Sequence, residues 1–438
     1  GAIHLFTGAS VGDELDGALA RANAIDRRLP YQTQNDLRNQ INQGQIRYMD
    51  MHLSHVADQL RYGYLGAVDV AIIEAAGITA DGQVIPSTSV GNVPVFLEQA
   101  KRIMIEICTA QPEELEGMHD IYLPAMPPER KAIPLLTPSD RIGSPYYQVD
   151  PNRISAIVYS DVPDSVGDFK EPDQNSRLMA DHLISFLERE VKQGRLPASL
   201  RPLQSGVGAT ANAVLAGLQA SPFRGLSFYS EVIQDAVLSL IDTGTFAFAS
   251  ATSLTLSSNG RNRFYNNLSD YRDHILLRPQ EISNHPELIR RLGIISMNTA
   301  IEVDLCGHVN STHIMGNRMM NGIGGSGDFT RNASLSIFMT SSTAKNGAIS
   351  AIVPFVSHCD HTEHDVHVVV TEQGVADLRG KCPRERAQEL IHQCAHPDYR
   401  EALSSYERKY LRNHHTGHDP KEALSWHERY LREGTMLQ

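Results

Sequence analysis

Residues Gly225 to Gly244 read GLSFYSEVIQDAVLSLIDTG. Leu226 to Tyr229 form a short apolar run that ends on Ser230 and Glu231, the pattern of a buried strand leaving a sheet. From Asp235 the period changes. Ala236, Val237, Leu240 and Ile241 fall on one face at helical spacing, and Asp235 stands where an N-cap is expected. The stretch therefore predicts a strand, a polar exit and a helix, which is the repeating unit of an α/β sheet.

The same rhythm runs outward in both directions. AIHLFTGAS (Ala2–Ser10), IRYMDMHLS (Ile46–Ser54), VDVAIIEAAGIT (Val68–Thr79) and RIMIEICTA (Arg102–Ala110) read as strands, with helical candidates GDELDGALARANA (Gly12–Ala24) and VPVFLEQAKR (Val93–Arg102) between them. In the second half, LSIFMTSS (Leu335–Ser342), AISAIVPFVS (Ala348–Ser357) and DVHVVVTEQG (Asp365–Gly374) read as strands. The fold class predicted is α/β, with mainly parallel sheets covered by helices. Pro, Gly and charge accumulate after Ile154–Ser160, so Asp161 to Gln174 reads as a linker. The expected domains are 1–165 and 166–438. Ligands of two-domain α/β proteins usually lie between the domains, near the carboxyl ends of strands.

Composition narrows the function. The 438 residues are 41% apolar and 21% charged, with a net charge of −12. That balance suits a globular protein and argues against non-specific nucleic-acid binding, which needs Lys and Arg to neutralise phosphates. Five scattered cysteines without a C-x-x-C pair fit a reducing compartment and neither a disulfide framework nor a zinc module. No apolar run approaches the roughly 18 residues of a membrane span. Cytosol, or the interior of an organelle such as a mitochondrion, is the expected location. GAIHLFTGAS opens without Met and enters a strand at once, so either the start was processed or a preceding segment belongs in front of it.

Four segments carry candidate chemistry. Glu231 lies at a strand exit, where a carboxylate serves as nucleophile or base, or simply as a solvated loop residue. In LQSGVGATANAVLAGL (Leu203–Leu218), the turn Gly206, Val207, Gly208 and Ala209 feeds a helix and offers backbone N–H groups to an anion. NGIGGSGDF (Asn321–Phe329) matches the G-x-G-x-x-G dinucleotide spacing at Gly322, Gly324 and Gly327. That match fails on context: no clear strand precedes it, and Phe329 to Cys359 contains no acid to hold a ribose. Its glycines instead suit a backbone that must approach something closely. SHCDHTEHDVHVVVTEQG (Ser357–Gly374) has the residue types of a metal site. However, His361 and His364 are three apart, and a strand there would turn His364 and His367 to opposite faces. A hydrogen-bonded polar loop is the reading preferred, with no metal. Glu372 is a second carboxylate at a strand exit.

Taken together, LLRPQEISNHPELIRRLG (Leu276–Gly293), VNSTHIMGNRMMNGIGGSGDFTRNA (Val309–Ala333), VSHCDHTEHDV (Val356–Val366) and VTEQGVADLRG (Val370–Gly380) resemble the acetyl-CoA hydrolase/transferase family of class I CoA-transferases. The resemblance spans essentially the whole chain. It implies two open α/β/α domains with the active site between them, and transfer of coenzyme A between a short acyl-CoA and a carboxylate such as acetate, propionate or succinate. It implies a glutamyl anhydride and a glutamyl-CoA thioester on Glu231, a backbone N–H donor at Gly325, and further active-site residues at Asn284 and Glu372. The glycine loop Gly322, Gly324 and Gly325 and the segment Gly206–Ala209 would line the thioester site. Coenzyme A is then substrate rather than resident cofactor, and a homodimer is expected. The resemblance also implies roughly another 60 residues upstream, contributing to the carboxylate pocket. EVDLCGHVNST (Glu302–Thr312) departs from the family's aromatic-rich version at Leu305 and Cys306. Two alternatives stay open: an acyl-CoA hydrolase on the same scaffold, and a CoA-binding protein without activity.

Overall fold

A computed structural model of the chain describes residues 2–10, 12–164, 171–412 and 414–437. It divides into two compact units, each discontinuous in sequence. The first comprises residues 1–169, 201–204 and 224–292, and the second comprises 170–200, 205–223 and 293–438. This division differs from a single cut at 165/166, because 201–204 and 224–292 pack with the first unit. The expected cut itself, and residues 165–170 of the expected linker, lie outside the described residues.

The first unit is built from layers of parallel strands. Ile3–Ala9, Ile25–Tyr31 and Arg47–Tyr48 form one sheet in that order, all parallel. A second sheet runs Val84–Pro86, Val68–Ile78, Ala100–Cys108 and Ile154–Ser160. There only the first strand is antiparallel to its neighbour. A third set places Ile275–Leu277, Phe246–Ala251, Leu226–Tyr229 and Leu203 side by side, again parallel. Leu226, Phe228, Tyr229, Phe246, Ala249 and Ile275 to Leu277 are buried. Strands enclosed on both faces read as nearly continuous apolar runs, which is why they are legible in the sequence.

In the second unit, Ile295–Thr299, Leu335–Met339 and Val368–Thr371 are parallel neighbours, and Gly374–Asp377 closes the set as an antiparallel hairpin strand. Helix Gln174–Lys192 is capped by Asp173, whose side chain accepts from Ser176 N at 2.8 Å. Met179, Leu183, Phe186 and Leu187 make its buried face at helical spacing. Its buried Glu190 accepts from Arg195 and from Arg379 Nη1 at 2.9 Å, which fastens the helix to the segment after the hairpin. Those arginines, Arg195 first, hold the Glu190 carboxyl down at about 2. The C-terminal helices pack around Tyr399, Leu403, Tyr406, Leu411 and Trp426. Among the described residues, no helix is long and apolar enough to cross a membrane.

Local readings differ from the structure in several places. Ile46–Ser54 was expected as one strand, but only Arg47–Tyr48 is extended, and Leu53–His55 already begins a helical turn. Leu53, Val56, Ala57 and Leu60 are buried, and that spacing is helical. The helix expected over Val93–Arg102 ends at Gln99, and the strand starts at Ala100 without an intervening loop. Ala348–Ser357 holds two short pieces, Ile349–Ser350 and Ile352–Val353, rather than one strand. The strand expected to include His364 and His367 begins only at Val368. Asp235 is the first helical residue, not the N-cap, and its carboxylate accepts from Ser257 N at 3.0 Å and Ser257 Oγ at 2.7 Å. A partner distant in sequence outcompeted the local cap.

Candidate active site

Strand Leu226–Tyr229 delivers Glu231, and the surrounding backbone fixes it. Ser230 N donates to Ser250 O at 3.0 Å, and Glu231 O accepts from Thr252 N at 2.9 Å and Ser253 N at 3.3 Å. Glu231 is half-buried. Its charge acts on Tyr31, at the end of strand Ile25–Tyr31. Burial first, then the Glu231 carboxylate, pushes that phenol above its usual value. Nothing in the local sequence marks Tyr31 as a neighbour of Glu231, since the proximity depends on how the first unit folds.

Asn284 belongs to the same unit. It is fully buried and ends the short helix Gln280–Ser283, its N–H donating to Gln280 O at 2.9 Å. The buried Tyr229, two residues before Glu231, donates its hydroxyl to Ile282 O at 2.7 Å. The strand that presents Glu231 is thus tied to the helix that presents Asn284. Arg61 grips that helix through a two-pronged contact with Glu281, at 2.6 and 2.8 Å, with the two side chains 2% and 8% exposed. Paired carboxylate and guanidinium groups of this geometry are among the stronger charge contacts.

Three further elements meet in the second unit. Gly206 N donates to Met297 O on strand Ile295–Thr299, at 3.0 Å. Gly208 has φ +124° and caps helix Ala209–Ala220 without a side-chain bond, and Val207 is exposed. Asn298, next to Met297, donates to Thr330 Oγ1 at 3.3 Å. Thr330 lies in helix Ser326–Asn332, which follows Gly322, Gly324 and Gly325 directly. Gly324 adopts φ +59°, a left-handed conformation that favours glycine. No parallel strand leads into this loop; the pair before it is the two-residue hairpin His313–Ile314 and Arg318–Met319. The dinucleotide setting is absent among the described residues.

Glu372 sits at the two-residue turn between Val368–Thr371 and Gly374–Asp377. Its carboxylate accepts from Ser342 N at 2.8 Å, from Ser342 Oγ, and from Gln373 Nε2 at 3.1 Å. Burial works to raise its pKa, but the Ser342 bonds prevail and hold it below the usual glutamate range. Glu372 is therefore a fixed anion at neutral pH. Sequence reading singled out Glu372 as a candidate but not its partner Ser342, whose only signal was the polar end of LSIFMTSS.

The histidine-rich loop holds together by hydrogen bonds. Asp304 accepts from Cys306 N, Gly307 N and His308 N at 3.0 Å each, and His308 also meets Glu363. Asp360 accepts from Ser311 N at 2.7 Å and Thr312 Oγ1 at 2.8 Å. Among the described residues, no group of three or more His, Cys, Asp or Glu is arranged to hold a metal ion. Leu305 and Cys306, the departures noted in the sequence, are buried in the second unit's core.

The geometry is that of carboxylates and glycine-rich turns on α/β scaffolds, and comparison with known proteins gives it a family. Residues 2–159 match the acetyl-CoA hydrolase/transferase N-terminal domain, and residues 260–407 match the C-terminal domain. The chain belongs to the acetyl-CoA hydrolase/transferase family. It is 51% identical over 436 residues to the succinyl-CoA:acetate CoA-transferase of Clostridium kluyveri, covering 99% of this chain and 81% of that one. It is 44% identical over 439 residues to the propanoyl-CoA:succinate CoA transferase of Escherichia coli, covering 99% and 88%. An acetyl-CoA hydrolase of Eremothecium gossypii is 45% identical over 452 residues, covering 99% and 86%. In fold, the chain resembles RipA from Yersinia pestis, with a TM-score of 0.67 at 21% identity over 89% of this chain and 82% of that one. Membership in this family makes the chain an enzyme.

Proposed function

We propose that this enzyme transfers coenzyme A between a short-chain acyl-CoA and a free carboxylate, with Glu231 as nucleophile. The observation that carries the reading is the placement of Glu231. It stands at the carboxyl end of a buried parallel strand, with its backbone clamped by Thr252 and Ser253.

The Glu231 carboxylate oxygen attacks the thioester carbonyl. The C–S bond breaks, giving a mixed anhydride and CoA thiolate. The thiolate attacks the glutamyl carbonyl, expelling the first carboxylate and leaving a glutamyl-CoA thioester. An incoming carboxylate attacks that thioester, and the two steps run in reverse to release the new acyl-CoA and restore Glu231. No net proton or electron is exchanged. A carboxylate is a weak nucleophile, so the developing oxyanions need fixed donors, each worth about 3–4 kcal/mol in such sites. The Gly325 N–H and the Asn284 side chain are assigned that role. Glu372, held anionic by Ser342, positions neighbouring donors rather than delivering a proton. Gly206–Ala209, with Gly322 and Gly324, lines the path of the thioester.

The acid pair is proposed from the acetate, succinate and propionate class named for the relatives. A second reading, hydrolysis with water as acceptor, is supported by the fungal relatives named acetyl-CoA hydrolases, at 43% to 45% identity. Loss of acyl-CoA measured with and without acetate, propionate or succinate separates the two. Transfer predicts loss that depends on the acceptor and a new acyl-CoA in equal amount. Loss at the same rate without acceptor would establish hydrolysis instead.

A further inference from the structure

Ser326 is the residue on which the loop carrying Gly324 and Gly325 turns into a helix. Its Oγ donates to Ile323 O at 2.8 Å, closing residues 323–326 into a ring that contains both glycines. The same Oγ lies 3.3 Å from Nε2 of His361. A serine hydroxyl has one hydrogen. With it committed to Ile323 O, the hydrogen between Ser326 and His361 sits on Nε2. A second hydroxyl gives the same answer. Ser311 Oγ is 3.3 Å from the carboxylate oxygen Asp360 Oδ2, which only accepts, and 3.5 Å from His361 Nε2. Ser311 therefore gives its hydrogen to Asp360 and turns a lone pair to the imidazole.

The imidazole is itself held. His361 is 4% exposed. Its backbone exchanges two hydrogen bonds with Val309, at 2.8 and 3.0 Å. Its ring packs on the buried Phe338 with centroids 4.9 Å apart. A buried imidazole on a paired backbone thus brings its donor N–H to one serine of the loop.

We propose that His361 is a positioning residue for the acyl-transfer reaction: its Nε2–H holds Ser326 Oγ and so sets the direction of the Gly325 N–H. This rests on Gly325 being the oxyanion donor. Such a donor acts only within a few tenths of an ångström of its place, and it must be set before charge develops. His361 touches no reacting atom. Its loss leaves substrate binding intact and loosens the loop in the transition state.

The test is steady-state kinetics on the full chain carrying His361→Phe, His361→Gln, Ser326→Ala, and the His361→Phe/Ser326→Ala pair. Phe keeps the ring against Phe338 without the N–H, whereas Gln keeps a donor N–H. His361→Phe and Ser326→Ala are each expected to lower kcat by ~10–100-fold, the range for a displaced catalytic group. KM for acyl-CoA should change by less than about threefold, as for an interaction made only in the transition state. His361→Gln should recover most of kcat, and the pair should be no slower than its slower single variant. Wild-type kcat in Ser326→Ala overturns the proposal. So do multiplied losses in the pair, or a Gln variant as slow as Phe. Ser326→Ala removes one oxygen, so it decides the matter even where His361→Phe does not fold. A wild-type enzyme without acceptor-dependent transfer sinks the reading of the site, and this inference with it. An active wild type with indifferent variants sinks this inference alone.

Discussion

Glu372 and Ser342 stand thirty positions apart, yet the chemistry of one is set by the other. Two donors from Ser342 keep the Glu372 carboxyl ionised against the pull of burial. With its pKa depressed in the fold, the anion is favoured above that value and lost as pH falls through it. Ser342→Ala removes the hydroxyl donor and returns the Glu372 pKa toward its usual range. The acid limb of the kcat/KM profile should then move to higher pH, with the alkaline limb unchanged. An acid limb that stays in place in Ser342→Ala shows that Glu372 does not govern it. At this scale the sequence was half legible. Glu231, Glu372 and the glycines could be singled out as candidates because strand ends and glycine-rich turns leave local marks. Tyr31 and Ser342 left no such mark, and His361 stood out only as a possible metal ligand, because their contacts are with residues far away in the chain.

Elements were legible where burial made them uniform. Leu226–Tyr229 followed by helix Asp235–Asp242 appears where the change of period puts it. The failures cluster where local signals are short, as in Ile46–Ser54, or where a tertiary partner replaces a local one, as with Asp235 and Ser257. The sheet around Val68–Ile78 carries a group that no pattern announces. Glu74 lies opposite Glu106 in register and accepts from Gln111 Nε2 at 2.9 Å. Burial first, then the charge of Asp164, pushes its carboxyl up to about 7. A raised acid binds a proton in the fold that the unfolded chain has already released. Stability therefore falls as pH rises from the ordinary value of 4.5 toward 7. Glu74→Gln keeps an acceptor for Gln111 without the charge. The variant should melt above the wild type at pH 8, and the difference should vanish by pH 4. An equal difference at both values shows that the charge on Glu74 is not the cause.

For the whole molecule, the class of fold was legible from the alternation of strand and helix, and the family from its longest motifs. The composition of the compact units was not. Residues 224–292 join the first unit although they follow part of the second in sequence, and only long-range packing decides that. In the proposed reaction Glu231 is the one residue that bonds covalently to the substrate. The account therefore stands or falls on which glutamate becomes acylated. The full chain is mixed with acyl-CoA, reduced with borohydride to convert a side-chain thioester to the alcohol, digested and analysed by mass spectrometry. One modified residue is predicted, Glu231, and the modification and the transfer should both be lost in a folded Glu231→Gln variant. A modification on another residue, or transfer that persists in Glu231→Gln, would contradict the account.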